Sequence, residues 1–222
     1  MKPKEGRMKE LLRERGLDGA IVSSPENFHY VTGFGGHQHT VSRQPGFTLA
    51  VMRSDDKAPT HITTMDFEAA TFRIKSAGLG FVVDPYDTWV GLKTWPEISQ
   101  GAALPDKARM ESSADKLEQF VKACDLADKR IGVEMDYLTV PYYNMIREKF
   151  PEARLVDISD LFVYARSIKT EEEIKMFREL CRIADHGFTQ VSRMAGIGVS
   201  EKEMSDCFRE DVIRSGFCVP SA

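Results

Sequence analysis

The first 160 residues of the sequence predict an α/β fold, in which helices cover a sheet. Two observations lead to this prediction. Segments with apolar residues at helical spacing alternate along the chain with short apolar runs of strand length. Most of the helical segments also carry their own start or stop signals. Alternation of this kind is typical of a sheet whose helices pack on its surface.

Helix caps and apolar stripes define five helical segments in this region. Gly16 provides a stop for the first segment, and Ser24 followed by Pro25 is typical of a helix start. Thr139 caps the last. The predicted segments are 4–15, a turn from Ser24 that carries Asn27, Phe28 and Tyr30, 66–75, a helix from Ser112 or Ser113 through 125, and 139–150.

Apolar runs between these segments predict six strands, at residues 19–23, 47–53, 61–64, 80–83, 130–134 and 154–157. The stretch 33–46, rich in glycine and polar side chains, is predicted as a long loop, and 84–105 as an irregular segment. That irregular segment holds Trp89 and Trp95. The two side chains are predicted to plug the end of the sheet, and the alternative is that they line a pocket or a dimer contact.

A second domain is predicted to begin after residue 160. A short turn at 161–163 precedes a long helix that is capped by Thr170 and has an apolar stripe along its length. Ser200 and Glu203 form the capping box of one further helix. The two apolar stripes have only each other and the first domain to cover them. We therefore expect residues beyond 222, on the same gene product or on a second chain.

Composition and charge exclude several classes of protein. Hydrophobic residues make up 42% of the chain, and the net charge of −4 provides no basic surface for nucleic acid. No apolar run approaches the ~20 residues of a membrane span, and the charged N-terminus does not resemble a signal peptide. The four cysteines lack metal-ligand spacing and are predicted as small buried residues in a reducing compartment. A cytoplasmic globular protein is therefore predicted.

Three stretches of the chain follow one another in a recognisable order. Residues 8–34 run from Met-Lys-Glu-Leu-Leu to Tyr-Val-Thr-Gly-Phe. Residues 130–160 begin Arg-Ile-Gly-Val-Glu and end Leu-Val-Asp-Ile-Ser-Asp, and residues 166–174 read Arg-Ser-Ile-Lys-Thr-Glu-Glu-Glu-Ile. In this order and spacing the stretches resemble the opening of the N-terminal domain, its last helix and strands, and its junction with the catalytic half in the creatinase, prolidase and aminopeptidase P family.

The resemblance implies a fold and a division of labour. Residues 1–160 are expected to form the ribonuclease-H-like α/β N-terminal domain of the creatinase type, which supports homodimerisation and helps to enclose the partner's active site. Residues 161–222 are expected to be the linker and the first two helices of a pita-bread α+β catalytic domain. The rest of that domain lies outside this chain.

The resemblance also implies where the chemistry lies. Metal-dependent members of the family hold two divalent ions, such as Mn or Zn, with two aspartates, a histidine and two glutamates, whereas creatinase uses a histidine without metal. Nothing between residues 166 and 222 matches the ligand-bearing motifs. We therefore expect this chain to carry no catalytic residue and no metal ligand, to bind no cofactor itself, and to be inactive alone.

The predicted loop at 33–46 holds the candidate substrate-binding residues His37, His39 and Arg43. Two histidines at this spacing could hold a metal in an extended loop, but the loop offers no third ligand. The resemblance suggests instead that the loop reaches the active site of the partner subunit. There the three residues would bind a substrate carboxylate or shape its pocket. A guanidinium suits the first role because it can hold a carboxylate through two hydrogen bonds. The alternative is an exposed, mobile polar loop.

Two classes of function remain open. The chain is expected to be the N-terminal portion of a hydrolase that cleaves a C–N bond in an Xaa-Pro peptide or in a small amidino or amide substrate. A lyase of the same fold that acts on a small zwitterion is the variant within this class. The alternative class is a non-catalytic dimerisation or binding module. For the hydrolase the expected partners are a second copy of the chain, the remainder of the catalytic domain, and a small-molecule or short peptide substrate.

Overall fold

The computed structural model describes residues 3–55, 58–88, 94–101 and 111–217. The chain divides into two units, Met1–Ser167 and Ile168–Ala222. The helices are α1 (Glu5–Glu14), α2 (Pro25–Thr32), α3 (His37–Ser42), α4 (Ala69–Ser76), α5 (Trp95–Ser99), α6 (Ser113–Ala123), α7 (Val140–Lys149), α8 (Ser159–Ser167), α9 (Glu171–Met194) and α10 (Glu201–Arg214), with a 3-10 turn at Asp66–Glu68. The strands are β1 (Gly19–Val22), β2 (Leu49–Arg53), β3 (His61–Thr63), β4 (Val82–Val83), β5 (Arg130–Val133) and β6 (Arg154–Asp157).

The six strands of the first unit form one mixed sheet in the order β4-β3-β2-β1-β5-β6. Strand β1 pairs antiparallel with β2 on one side and parallel with β5 on the other. From β1 the chain continues to β2 on one side of the β1–β5 pair, whereas from β5 it continues to β6 on the other side of that pair. The carboxyl ends of β1 and β5 therefore form the point of the sheet at which the chain connections diverge.

Both faces of the sheet are covered, so the core has two layers of side chains. Alternate residues of a strand point to opposite faces. In β1, Ala20 and Val22 pack in the cluster that contains Phe28 of α2 and Phe162 of α8. Ile21 packs in the other cluster, with side chains of α6 and α7. This three-layer arrangement confirms the predicted α/β fold and explains why β1 is a continuous apolar run.

The Lys116 clamp, defined by Lys116, Asp84 and Glu111, closes the long connection between β4 and α6. Lys116 Nζ lies 2.9 Å from Asp84 Oδ2 and 2.6 Å from Glu111 Oε2. The lysine is only 5% exposed, although both carboxylates are about half exposed. Because one ammonium binds a carboxylate at each end of the connection, the clamp holds the two ends together.

Several local predictions were wrong. The predicted loop at 33–46 contains helix α3, and the predicted turn at 161–163 lies within α8. Trp95 begins the short helix α5 and is 77% exposed, so it does not plug the end of the sheet. Trp89 lies outside the described residues. Cys181, predicted as buried, is exposed, whereas Cys124 is buried as expected.

Within its described part, the second unit consists of α9 and α10. Both helices begin with the predicted capping boxes, at Thr170 and at Ser200. The two helices approach closely at Gly187, where a Cβ atom would lie 2.8 Å from the ring of Phe208. Glycine at this position therefore permits the close packing of the two helices. None of the helices in the described ranges is long and apolar enough to cross a membrane.

His186 joins these two helices through a hydrogen bond. Its Nδ1 atom lies 2.8 Å from Asp211 Oδ2 on α10, and its Nε2 atom lies 3.1 Å from the Gln190 amide. The histidine side chain keeps 54% of its surface exposed. The contact is therefore a partly solvated hydrogen bond that adds to the apolar packing at Gly187.

Large apolar side chains remain exposed on α9. Phe177 is 51% exposed, Phe188 is 65% exposed, and Leu180 between them is 38% exposed. Only Ile183 and Gly187 of the 24 residues in this helix are buried. The apolar stripe predicted from the sequence therefore exists, and α10 covers only part of it within the described residues.

Candidate functional site

Helices α2 and α3 form a corner directly after β1, and the sequence specifies most of it locally. The Ser24 side chain caps α2 by accepting a hydrogen bond from Asn27 N, and Pro25 occupies the first turn, where its missing N–H costs nothing. Gly33 ends the helix with φ 81°, a left-handed conformation that glycine adopts without strain. The chain then turns into α3, which begins after Gly36.

Helix α3 depends on a distant carboxylate. Glu68, which is 9% exposed, accepts a hydrogen bond from Gln38 N in the first turn at 3.0 Å. A Cβ atom at position 36 would lie 2.5 Å from the Glu68 carboxylate and 2.9 Å from the Phe72 ring. Gly36 therefore permits the close approach that lets Glu68 satisfy an otherwise unpaired N–H of the short helix.

His39, one of the three candidate residues, belongs to the core. Its side chain is fully buried, and its ring stands edge-on to Phe28 with the centroids 5.4 Å apart. Nε2 lies 2.8 Å from the carbonyl oxygen of Ser23, so this nitrogen carries the proton and donates it. Burial lowers the pKa of the imidazole, which favours the neutral ring. In this conformation His39 positions α3 against the end of β1.

Arg43, the second candidate, is exposed and already paired. It caps the end of α3 with φ 49°, and its guanidinium donates two hydrogen bonds to the Glu26 carboxylate, at 2.5 and 3.2 Å. The hydrogen bond from Arg43 is the main reason that the pKa of Glu26 is lowered. The ion pair fixes the position of the guanidinium at the outer edge of the corner.

His37, the third candidate, begins α3 and is exposed. The structure thus places the three candidates on one short helix and its cap, but in different surroundings. His37 and Arg43 face solvent, and His39 faces the core. Binding of a substrate carboxylate by His37, His39 and Arg43 stays a prediction.

A fully buried acid, Glu134, lies beside this corner and was missed from the sequence. It follows β5, and its two oxygens accept four hydrogen bonds where the carboxyl ends of β1 and β5 meet. The Oε2 atom accepts from the backbone nitrogens of Ser23 and Ser24, the latter at 3.0 Å. The Oε1 atom accepts from the Ser24 hydroxyl at 2.5 Å and from the Asn27 amide at 2.6 Å.

These contacts make Glu134 a structural acid. Burial raises the pKa of its carboxyl, and the four donors act in the opposite direction because they favour the ionised form. Every strong acceptor site faces a donor of the chain itself. Glu134 therefore joins β5 to the start of α2 and offers no open position to a substrate.

One sequence signal could have revealed Glu134. It is a charged residue directly after the apolar run of β5, and Ser23 and Ser24 follow the apolar run of β1 in the same way. Carboxyl ends of neighbouring parallel strands meet at one edge of a sheet. Predicting this contact would also have required the strand order, because local patterns do not show that β1 and β5 are neighbours.

The described residues do not fit a metal site. Among them no group of three or more histidine, cysteine, aspartate or glutamate side chains could hold an ion. Cys124 is buried, and burial raises the pKa of its thiol to about 11, so it is not a reactive nucleophile. The corner of the first unit thus combines a buried core acid, Glu134, with the exposed ion pair of Arg43 and Glu26.

Comparison with known proteins places the chain in a family. The sequence model of the Creatinase/Prolidase N-terminal domain matches residues 6–168. The protein described as uncharacterized peptidase YqhT, from Bacillus subtilis, is 28% identical over 196 residues, which cover 88% of this chain and 44% of that protein. The Xaa-Pro dipeptidase of Lactobacillus delbrueckii subsp. lactis is 24% identical over 197 residues, which cover 88% of this chain and 45% of that protein.

Solved structures agree with the fold. The Xaa-Pro dipeptidase from Bacillus anthracis superposes with a TM-score of 0.68 and 20% identity, over 94% of this chain and 48% of that protein. The chain thus spans less than half the length of these relatives. Since the family match covers most of the 222 residues and coincides with the first unit, the chain belongs to the Creatinase/Prolidase N-terminal domain family.

Proposed function

We propose that this chain is the N-terminal portion of a larger hydrolase of the creatinase and Xaa-Pro peptidase type. Such an enzyme cleaves a C–N bond in an Xaa-Pro peptide or in a small amidino or amide substrate. The main support is the family match over residues 6–168, together with relatives of which the chain covers 44–45%. The catalytic residues are proposed to lie outside the chain.

The side chains of the first unit support the proposal that the catalytic residues lie outside the chain. Glu134 is satisfied by four donors, His39 is buried, and Arg43 is paired with Glu26. The described residues also do not fit a pair of divalent ions, so no step is assigned to a metal in this segment. Any ions, such as Mn or Zn, would be held by the remaining half.

The exposed stripe of α9 supports a missing partner segment. Phe177, Leu180 and Phe188 expose between 38% and 65% of their surfaces, which is costly in water. We propose that the remainder of the catalytic domain covers this stripe. The complete protein is further proposed to be a cytoplasmic homodimer, in which the corner with His37, His39 and Arg43 approaches the substrate bound by the partner subunit.

The proposal is tested on the native protein that carries this sequence, isolated with an antibody raised against the 222-residue chain. Its mass is measured, and hydrolysis of Xaa-Pro dipeptides and of creatine is assayed with added Mn²⁺ and with a chelator. The expected result is a mass about twice that of the chain, matching the relatives' coverage, and release of a free amine from one of these substrates.

Two outcomes would overturn the proposal. A native protein with the mass of the 222 residues and no hydrolysis would identify a non-catalytic module. Product formation by elimination, without incorporation of a water oxygen from ¹⁸O-labelled solvent, would identify a lyase.

A further inference from the structure

Two side chains of α2 contact the last turn of α8, at the end of the first unit. Tyr30 donates its hydroxyl to the carbonyl oxygen of Ala165 at 3.2 Å. Arg166 donates from Nη1 to Oδ1 of Asn27 at 3.1 Å. Asn27 and Tyr30 are three residues apart and so share one face of α2. The Tyr30 hydroxyl thereby provides a hydrogen-bond partner for one of the last carbonyls of α8, which have none within the helix.

The orientation of the Asn27 amide follows from its neighbours. A carboxylate can only accept hydrogen bonds, and a guanidinium can only donate them. Glu134 therefore takes the Nδ2 donor of Asn27, at 2.6 Å, and leaves the Oδ1 acceptor facing Arg166. The buried acid thereby determines which end of the amide is presented to α8, although Glu134 itself has no described contact with that helix.

We propose that Asn27 and Tyr30 form a tether through which the core acid Glu134 fixes the last turn of α8. This turn is where the chain leaves the first unit: α8 ends at Ser167, and the second unit begins at Ile168. The tether sets the position from which the connection to α9 departs. It depends only on contacts within the first unit, so it holds whatever reaction the complete protein performs.

Hydrogen exchange measured on the 222-residue chain tests the tether. Arg166→Met keeps the aliphatic stem but removes the donor, and Tyr30→Phe removes the hydroxyl alone. The matched control is Arg15→Met, because Arg15 pairs with Asp160 in the first turn of the same helix, at 2.7 Å. The observable is the exchange rate of amides 163–167 relative to the amides of α6, which corrects for any change in global stability.

Loss of the neutral bond from Tyr30 should raise this relative rate about fivefold, since such a bond contributes about 1 kcal/mol. Loss of the bond from the charged Arg166 should raise it at least as much. Arg166→Met and Tyr30→Phe should each show the increase, and Arg15→Met should not. Glu134→Gln should also raise the relative rate, because a glutamine amide can donate as well as accept and no longer fixes the orientation of the Asn27 amide. Parent-like rates in both tether variants, or an equal increase in the control, would refute the tether. A parent-like relative rate in Glu134→Gln would refute the role of the acid.

Discussion

Replacement of Glu134 by glutamine changes one oxygen into an amide group and leaves the shape almost unchanged. In the parent chain Oε2 accepts from two backbone nitrogens, and Oε1 accepts from the Ser24 hydroxyl and the Asn27 amide. If the new NH₂ group faces Ser23 and Ser24, two backbone donors lose their acceptor. If it faces the other pair, the Ser24 hydroxyl and the Asn27 amide must reorient to accept from it. In either orientation two hydrogen bonds to a charged acceptor are lost.

The expected loss of stability can be worked from these contacts. Two hydrogen bonds to a charged group are worth about 3–6 kcal/mol. Part of this loss is offset, because burial penalises the charged form and raises the pKa of Glu134, a penalty that glutamine does not carry. The net destabilisation is expected to be about 2–4 kcal/mol. For a unit of this size that corresponds to a decrease of about 10 °C in melting temperature.

The measurement is thermal unfolding followed by circular dichroism at pH 7, with urea unfolding as a second determination of stability. Glu10→Gln serves as the control, because Glu10 is 51% exposed in its pair with Arg7 and should leave the melting temperature unchanged. A Glu134→Gln variant that melts within 1 °C of the parent, or above it, would refute the assignment of Glu134 as a structural acid.

Three further predictions concern the corner and the clamp. Arg43→Ala should change the melting temperature by no more than about 2 °C, because the ion pair of Arg43 with Glu26 is exposed. The same substitution should raise KM of the native enzyme in steady-state assays, and unchanged kinetics would remove Arg43 from the site. Lys116→Met should remove both ion pairs of the Lys116 clamp and lower the melting temperature in calorimetry by about 3 °C. An unchanged melting temperature would show that the clamp does not stabilise the fold. Burial lowers the pKa of His39, so below about pH 6.5 the unfolded chain binds more protons than the folded chain and the stability falls. His39→Gln should reduce this loss of stability in urea unfolding, whereas the exposed control His37→Gln should not. Equal effects of the two substitutions would refute the argument.

Local patterns predicted the regular part of the fold well. Apolar runs such as that of β1 predict strands because a strand buried on both faces needs apolar residues at every position. Capping boxes such as that at Thr170 predict helix starts because the cap and its partner lie three residues apart in sequence. In each of these cases the signal lies within one segment, either as the apolar run itself or as a cap and its partner three residues apart.

The parts that could not be predicted depend on distant residues. Helix α3 follows a glycine-rich stretch, and the carboxylate that stabilises its first turn comes from Glu68, 30 residues away. Glu134 lies 110 residues from the Ser24 nitrogen that it binds. His39 was predicted on a loop, but its ring is buried against Phe28 because α3 folds back onto the end of β1. Such contacts follow from strand order, which no local pattern specifies.

Hydrolysis of an Xaa-Pro dipeptide and of creatine, measured side by side for the 222-residue chain and for the native protein that carries it, tests the central proposal most directly. We predict hydrolysis of one of these substrates by the native protein and none by the chain alone. Turnover by the isolated chain, or a native protein that hydrolyses neither class of substrate, would contradict the proposed function.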